Sequence, residues 1–305
     1  MTRAVRWYDG RMERRTVRLL AVLSIVPSFH LSAQSVDSLA VRLSGMTAVT
    51  GYEQAMTDSL LTLLPGSTRD RAGNVTLTLG RGAPTRVVFC PLDEVGYVVG
   101  NIRDDGYVTL RRVGAPALPN PIFDQQLEGH QVTLFGRRGP VPGVVGVRST
   151  HLTRGRPAAT DAPFTVDDAV VDLGASSRDE VLRLGIAILS PVALTKRPHI
   201  YGRRLLAAPA AGRRVACAAL VTAVLSKPRV QGTVLVAFLA QTLYQRNDLA
   251  TLSSLHGPID TVTESTMPLF ARLPVKFEDT TVETVDLADA DALAKSLTQW
   301  IGGGR

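Results

Sequence analysis

The stretch at residues 86–100, RVVFCPLDEVGYVVG, constrains this chain of 305 residues more than any other. An apolar run from Val87 to Phe89 is soon followed by two acids, Asp93 and Glu94. This pattern predicts a buried strand that delivers carboxylates at its C-terminal end, where open α/β sheets place their functional sites. The rest of the chain is therefore expected to build an α/β sheet around this strand.

Segments on both sides of this strand predict an α/β domain. Residues 35–64 have the pattern of two helices separated by a turn at Thr50–Glu53, and Val75–Leu79 alternates as a strand does. After Tyr201 the α/β pattern returns. Four elements are predicted there: a buried helix over Ala207–Leu225, an interior strand over Gly232–Ala240, a short strand over Met267–Leu273 and a closing amphipathic helix over Ala288–Ile301.

Residues 97–194 have a different sequence pattern, in which short predicted strands are separated by Gly, Pro, Asn and Asp at roughly ten-residue intervals. Such a rhythm predicts a small β-barrel or sandwich. The predicted organisation is a discontinuous α/β domain formed by residues 36–96 and 195–305, with the β-barrel domain inserted at 97–194. Within the insert, Ser176-Ser177 predicts a helix N-cap and not a nucleophile, since no nucleophile elbow surrounds it.

The first 33 residues have the pattern of a secretory signal peptide. Arginines precede an apolar core at Leu19–Val26 and a small-residue exit at Leu31–Ala33, and the core is short for a bilayer span. An amphipathic or buried first helix is the alternative interpretation. We therefore expect a periplasmic or secreted protein, with no membrane attachment after cleavage.

The net charge argues against a nucleic-acid partner. Removing residues 1–33 takes away six arginines and two acids, a net of +4 from the formal +7, so the remaining chain is near +3. The remaining basic residues are scattered, whereas a nucleic-acid groove needs a concentrated stripe.

The chain has two cysteines, Cys90 and Cys217, and each lies within an apolar run. An oxidising compartment would permit a disulfide between them. The apolar surroundings nevertheless favour two unpaired, buried cysteines that act as small hydrophobic residues. Neither cysteine belongs to a Cys/His spacing typical of a zinc site.

Several motifs resemble the glutamyl, or tetrahedral, aminopeptidase (cellulase-M-like) family of dizinc exopeptidases. The stretch CPLDEVG at residues 90–96 is similar to the family's A-H-M-D-E-V-G, and LSGMTAVTGYE at 43–53 is similar to its opening helix. VVDLGASS at 170–177 is similar to D-L-Y-I-D-I-G-A-S-S. The resemblance covers about residues 39–302. It implies a three-layer αβα domain, truncated here, with an inserted β-barrel that holds subunits together.

The resemblance also implies which positions would hold two zinc ions. The family uses two histidines, two aspartates and a glutamate as ligands, and a second glutamate as the base. In this chain the first histidine is replaced by Pro91, and Gly212 and Arg213 replace the two aspartates of the next motif. At the remaining aligned positions, Thr242 and Leu243 replace the base and the glutamate ligand, and Asp279 replaces the last histidine.

The strand that carries the family's fourth ligand has no counterpart here, because only 35 residues separate Leu243 from Asp279. Asp93, which orients the first histidine in the family, and Glu94 remain as vestiges. We expect Asp93 to pair with Arg213 or Arg214, since a buried acid without a metal needs another partner. The histidines outside the predicted signal peptide show no spacing that would rebuild the site: His130, His151, His199 and His256.

The predicted function is that of a non-catalytic homologue of a dizinc aminopeptidase, with no catalytic residue, metal or cofactor of its own. Its expected partners are further copies of itself or an active paralogue, and a peptide is a candidate ligand. Two interpretations stay open beside it. One is a metal-dependent aminopeptidase whose site is rebuilt from Asp93, Glu94 or Asp279, and a lone Ca²⁺ or Mg²⁺ at these acids is a variant of it. The other is an unstable product of a decaying gene.

Overall fold

The fold is that of a computed structural model, which describes residues 35–114, 123–147, 163–244, 249–260 and 273–303. The predicted signal peptide and most of the strand predicted over Met267–Leu273 lie outside these ranges. Within them, no helix is both long and apolar enough to cross a membrane.

Six helices and thirteen strands make up the described part of the chain. The helices are α1 (Val36–Ser44), α2 (Gln54–Leu63), α3 (Arg178–Arg183), α4 (Ala211–Leu225), α5 (Leu249–His256) and α6 (Leu287–Gly302). The strands are β1 (Thr68–Arg69), β2 (Val75–Gly80), β3 (Thr85–Pro91), β4 (Gly96–Ile102), β5 (Val108–Val113), β6 (Gln131–Gly136), β7 (Gly139–Val145), β8 (Val170–Asp172), β9 (Pro191–Leu194), β10 (His199–Tyr201), β11 (Leu205–Ala207), β12 (Thr233–Leu239) and β13 (Thr284–Asp286).

The apolar run from Val87 to Phe89 lies in β3, which belongs to a four-stranded sheet in the order β1-β2-β12-β3. Strands β3 and β12 run parallel, and Pro91 pairs with Leu239 at their C-terminal ends. Because parallel strands end at the same edge of a sheet, the residues after β3 and after β12 emerge side by side. The sequence around these two ends supplies most of the candidate site.

Helices cover both faces of this sheet, which gives the predicted three-layer arrangement. Val88 and Phe238 face a core shared with α1, α4 and α6. Val87 and Leu235 face the other side and pack with Leu252 of α5. Successive strand residues point to opposite faces, so each strand contributes to both cores. A separate three-stranded sheet, in the order β10-β11-β13, lies next to α4 and α6 in the chain.

The inserted part is a closed barrel with the strand order β4-β5-β8-β7-β6-β9, which confirms the predicted β-barrel. Its interior is filled by alternate residues such as Val99, Leu110 and Leu134, all fully buried. Closure leaves no free strand edge. The residue boundaries predicted for the two domains stay a prediction.

Two local predictions can be compared directly with the fold. Ser177 is the N-cap of α3, where its side chain accepts a hydrogen bond from the N–H of Glu180, as predicted. Helix α4 begins later than the predicted Ala207, because residues up to Ala207 form β11. The chain then turns at Ala210, whose φ of 55° lies in the left-handed region.

The prediction that the two cysteines are unpaired is wrong. Cys90 and Cys217 form a disulfide with a Cα–Cα distance of 5.5 Å across a sequence separation of 127 residues. Both residues are buried in the core between β3 and α4. An apolar environment therefore did not distinguish a buried disulfide from two buried thiols, since both avoid water equally well.

Candidate functional site

Asp93 lies just beyond β3 and is fully buried. Its Oδ2 accepts hydrogen bonds from Thr50 Oγ1 at 3.1 Å and from the N–H of Leu243 at 2.9 Å, and its Oδ1 accepts one from Thr242 Oγ1 at 2.5 Å. Arg213 Nη1 lies 3.8 Å from Oδ1 and donates to the main-chain oxygen of Asp93 at 3.2 Å. The carboxylate thus fixes the turn that follows β12.

Glu94 is the centre of a buried ion cluster. Its Oε2 lies 2.6 Å from Lys196 Nζ and 3.0 Å from Arg214 Nη2, and its Oε1 accepts a hydrogen bond from the N–H of Ala48 at 3.1 Å. The three charged side chains are only 7%, 5% and 1% exposed, respectively. One carboxylate is therefore shared by two cations in a site with almost no access to water.

The pKa values of the cluster follow from this geometry. Burial by itself would raise the pKa of Glu94, but Lys196 and Arg214 outweigh burial and hold it below the ordinary 4.5. Burial lowers the pKa of Lys196 below 10.5, and the attraction to Glu94 opposes this only in part. The ion pair between Glu94 and Lys196 is therefore the charged form that the site favours at neutral pH.

Glu283 connects the first turn of α4 to the loop before β13. Its Oε2 accepts a hydrogen bond from the N–H of Gly212, and its Oε1 accepts one from the N–H of Asp279, both at 3.1 Å. Burial raises the pKa of Glu283; the two N–H donors oppose that effect and the charge of Asp279 adds to it. Asp279 has a φ of 60°, a left-handed conformation that Asp and Asn adopt more readily than most residues.

A cleft of about 300 Å³ opens between the barrel and the α/β part, directly over these groups. Its polar side chains include both members of the Glu94–Lys196 pair. The other charged groups in its wall come from α4 and the loop before β13. The residues that line it are Glu94, Val95, Gly96, Tyr97, Phe123, Gln126, Ala193, Leu194, Lys196, Pro209, Ala210, Arg213, Leu243, Asp279, Thr280 and Glu283.

The positions aligned with the family's zinc ligands do lie around this cleft. Pro91 ends β3, Gly212 is in the first turn of α4, and Thr242 and Leu243 form a short 3-10 helix after β12. Leu243 and Asp279 line the cleft itself. The fold thus brings these positions together, while Asp93 and Glu94 are bound to different neighbours and do not form a joint acid pair.

The residues at these positions do not fit a pair of zinc ions. Pro91, Gly212 and Leu243 have no side-chain atom that could bind a metal. A Cβ atom at Gly212 would come within 2.7 Å of Val275 Cγ2, so the present packing leaves no space for an aspartate there. Among the residues that the structure describes, no three His, Cys, Asp or Glu side chains are grouped as a metal site.

Basic side chains lie close to the positions where the resemblance implies metal ligands, and Arg213 occupies one of them. Arg213 and Arg214 both come from the first turn of α4, and Lys196 reaches the site from the segment after β9. Positive charge at these points opposes the binding of a divalent cation. The chemistry of the present site is therefore that of fixed ion pairs.

The histidines do not converge on the cleft within the described ranges. His130 Nδ1 lies 3.1 Å from a main-chain oxygen of the barrel, His199 is on the exposed strand β10, and His256 Nε2 lies 3.3 Å from Asp70 Oδ2. His151 lies outside the described residues.

No sequence pattern points to Lys196, although it makes the shortest ion pair of the cluster. It is 102 residues from Glu94 along the chain. A single lysine after a strand carries no motif, so only the return of the chain from the barrel reveals its role.

Both the sequence and the fold are similar to those of known proteins. Residues 73–241 match the family described as M42 glutamyl aminopeptidase. The Escherichia coli (strain K12) protein SgcX, which carries a provisional aminopeptidase name, is 33% identical over 194 residues, covering 61% of this chain and 50% of SgcX. The chain therefore spans about half the length of this relative.

Solved structures share the fold. Aminopeptidase APDkam598 from the archaeon Desulfurococcus kamchatkensis superposes with a TM-score of 0.71 at 17% identity, over 88% of this chain and 94% of that chain. The TET1 peptidase of Pyrococcus horikoshii gives 0.72 at 18% identity, over 88% and 99%. Since the family match spans more than half of the sequence, the chain belongs to the M42 glutamyl aminopeptidase family.

Proposed function

We propose that this chain is a non-catalytic member of the family, which binds a ligand in its cleft and does not hydrolyse it. The observation that carries the proposal is that Pro91, Gly212 and Leu243, at positions aligned with zinc ligands, have no side-chain atom that could bind a metal. In the dizinc mechanism, two metal ions lower the pKa of a bridging water and polarise the scissile carbonyl. A site without these ligands offers no equivalent activation of water.

Two of the acids near the cleft are committed to structural contacts. Asp93 accepts three hydrogen bonds from Thr50, Thr242 and Leu243, and both oxygens of Glu283 accept main-chain N–H groups. A general base must be free to take a proton from water. These two carboxylates instead hold the walls of the cleft in place, which favours a binding role.

Metal analysis combined with an activity assay tests this proposal. Purified protein is analysed for transition metals by mass spectrometry, and hydrolysis of a panel of aminoacyl-anilides is measured with added Zn²⁺ or Co²⁺ and with a chelator. We expect less than stoichiometric metal and no chelator-sensitive hydrolysis. A family member with all its ligands serves as the positive control. Chelator-sensitive turnover by this chain would refute the proposal.

The alternative is a metal-dependent aminopeptidase with a rebuilt site. One observation favours it: the carboxylates of Glu94, Asp279 and Glu283 all line the same cleft. Three oxygen donors would suit a hard cation better than a zinc pair. Replacing Lys196 with Met distinguishes the two functions. If the site is a rebuilt metal site, the variant should bind metal more strongly, because Glu94 is no longer paired with Lys196. If the site is only an ion cluster, the variant should be less stable and should not gain metal binding.

We also propose an oligomeric, exported protein. The TET1 peptidase, a neighbour in fold, is described as assembling into a tetrahedron or a large octahedral shell. On the barrel side, Leu182, Ile188 and Leu189 are 48–62% exposed, so they offer apolar surface for subunit contacts. The Cys90–Cys217 disulfide supports an oxidising compartment such as the periplasm. Whether an active paralogue joins the assembly is tested by co-purification from the native source.

A further inference from the structure

Arg213 presents unused hydrogen-bond donors at the cleft. Only its Nη1 has a partner, the main-chain oxygen of Asp93, and the side chain is 39% exposed. Its Nε, Nη2 and main-chain N–H have no acceptor among the residues that the structure describes. The main-chain N–H lies in the first turn of the 15-residue helix α4, where the helix dipole adds positive potential. This combination suits a carboxylate.

Asp279 presents the opposite charge at the same cleft. Its carboxylate has no ion pair or hydrogen bond within the described part of the chain, and the left-handed conformation at this residue is fixed by the bond from its N–H to Glu283. Gln126 adds a second acceptor from the barrel wall, since its Oε1 is buried and has no hydrogen-bond partner among the described residues. Both groups suit a donor with positive charge.

The two charged residues are linked through one side chain. Glu283 binds the N–H of Gly212 with one oxygen and the N–H of Asp279 with the other. Arg213 directly follows Gly212, and both charges act on Glu283, since Asp279 raises the pKa of its carboxyl group and Arg213 lowers it. Within the described part of the chain, Arg213 and Asp279 do not form an ion pair with each other, and the acid near Arg213 is Asp93.

Part of the cleft wall is apolar. Phe123, Leu194 and Leu243 contribute side chains from the barrel and from the turn after β12. Tyr97 adds its ring, because its hydroxyl is already bonded to Asp124 at 3.0 Å. Glu94 and Lys196 also line the cleft, but they pair with each other. A ligand that matched the unpaired groups and the apolar part would therefore carry one negative charge, one positive charge and an apolar group.

We propose that the cleft binds a free α-amino acid with an apolar side chain, with its carboxylate on Arg213 and its ammonium on Asp279 and Gln126. A free α-amino acid carries its ammonium and its carboxylate group on the same carbon atom, which matches a cation and an anion that both act on Glu283 in one cleft. In a peptide the two terminal charges lie further apart. The inference rests on the proposed binding function, since a hydrolytic site would have to accept a peptide carbonyl here.

Calorimetric titration of the full chain with L-leucine tests the inference. Two analogues each remove one charge: isocaproate has no ammonium group and L-leucinamide has no carboxylate. We expect L-leucine to bind at one site per chain, and each analogue to bind at least about tenfold more weakly, because a charge-assisted hydrogen bond is lost. Equal affinity for isocaproate, or no binding of L-leucine, would overturn the inference.

Two variants connect the effect to the named residues. Asp279→Asn removes the charge and keeps a residue type that tolerates the left-handed conformation. It should weaken L-leucine about tenfold and leave isocaproate unchanged. Arg213→Gln should weaken both ligands, and thermal unfolding checks that this variant still folds. The matched controls are Glu278→Gln and Arg203→Gln, both exposed and outside the cleft wall. The assignment would be contradicted if the two control variants lost binding of L-leucine while Asp279→Asn and Arg213→Gln kept it.

The tripeptide Leu-Gly-Gly separates this inference from the function on which it rests. If the tripeptide binds and L-leucine does not, the free amino acid is the wrong ligand while the non-catalytic function stands. If the tripeptide is cleaved in a chelator-sensitive way, the non-catalytic function itself is wrong.

Discussion

Glu94 illustrates how a buried carboxylate is stabilised without water. A buried carboxylate without a partner is costly, and in this chain Lys196 and Arg214 supply the positive charge. Two Arg214 nitrogens, Nε and Nη2, are buried without a hydrogen-bond partner among the described residues, although Nη2 lies 3.0 Å from Glu94. The cluster is thus held by charge more than by ideal hydrogen-bond geometry.

Replacing Lys196 with Met should destabilise the fold by up to about 3–5 kcal/mol, because Glu94 loses one of its two buried cations and only Arg214 then compensates its charge. Denaturant unfolding measures the effect. Lys295→Met is the control, since Lys295 is exposed on α6. Adding Glu94→Gln to this variant should destabilise the fold further, because the buried Arg214 then loses its anion. An unfolding free energy within about 1 kcal/mol of the native chain would mean that the pair contributes no more than a surface one.

Glu53 and Glu283 should make stability depend on pH. Burial raises the pKa of both carboxyl groups above 4.5, so the folded protein keeps protons that the unfolded chain has lost. Stability should therefore rise as the pH falls from neutral towards 4.5. The pKa of Glu94 is lowered, so its contribution is lost below 4.5 as the pH falls further. The predicted maximum of the unfolding free energy lies in mildly acidic solution.

The variant Glu53→Gln isolates one of these groups. The Oε1 of Glu53 accepts the N–H groups of Gly51 and Gln241, both at 2.9 Å, and an amide oxygen can accept the same two bonds. Unfolding by denaturant across neutral to mildly acidic pH should show a shallower slope for this variant. Glu278→Gln is the exposed control. An unchanged slope would show that Glu53 does not carry the predicted proton.

At the scale of elements, the disulfide and the ion pairs link β3 to α4. Cys90 precedes Pro91 at the end of β3, and Cys217 lies one helical turn after Arg213 on α4. By resemblance, these two motifs are the ones that zinc would join in an active relative. In this chain a covalent bond and contacts between charged groups join them.

Reduction of the disulfide should therefore lower the stability by about 2–5 kcal/mol, since it releases a crosslink across 127 residues. Thermal unfolding with and without reductant measures the change, and the double variant Cys90→Val with Cys217→Val gives an independent value. Thiol titration of the unfolded, unreduced protein should find no free thiol. Two free thiols per chain would contradict the crosslink.

Elements with a strong local pattern could be predicted from the sequence. The apolar strand β3, the interior strand β12 and the closing helix α6 each have a clear periodicity, and the turn residues of 97–194 predicted the barrel. Helix α5 has little pattern, and its only deeply buried residue is Leu252 among those whose burial is described. The strands β10 and β11 are three residues each, too short for periodicity to appear.

The candidate site could also be predicted from the sequence only in part. The aligned positions Pro91, Gly212, Thr242, Leu243 and Asp279 could be placed around one site because their motifs are local. Their new partners could not be predicted, because they depend on tertiary contacts. Lys196 reaches Glu94 only after the chain has passed through the barrel, and the pairing of Cys90 with Cys217 depends on how α4 packs on β3.

For the whole molecule, we expect an assembly whose stability does not depend on metal. The closed barrel leaves no free strand edge, so subunits would associate through side-chain surfaces. Light scattering after gel filtration should give a mass above that of one chain, and the mass and the melting temperature should be unchanged by a chelator. A chelator-induced fall in either quantity would reveal a structural metal and contradict this prediction.

The packing of Val275 against Gly212 bears on the history of the fold. An acidic side chain could return to position 212 only after Val275 had become smaller, and a metal would gain nothing until Arg213 and Lys196 had also changed. Each of these steps taken alone weakens the folded state before any catalytic advantage appears. A zinc site at this cleft is therefore several coordinated substitutions away from the present sequence, so selection that acts on one change at a time would not reach it.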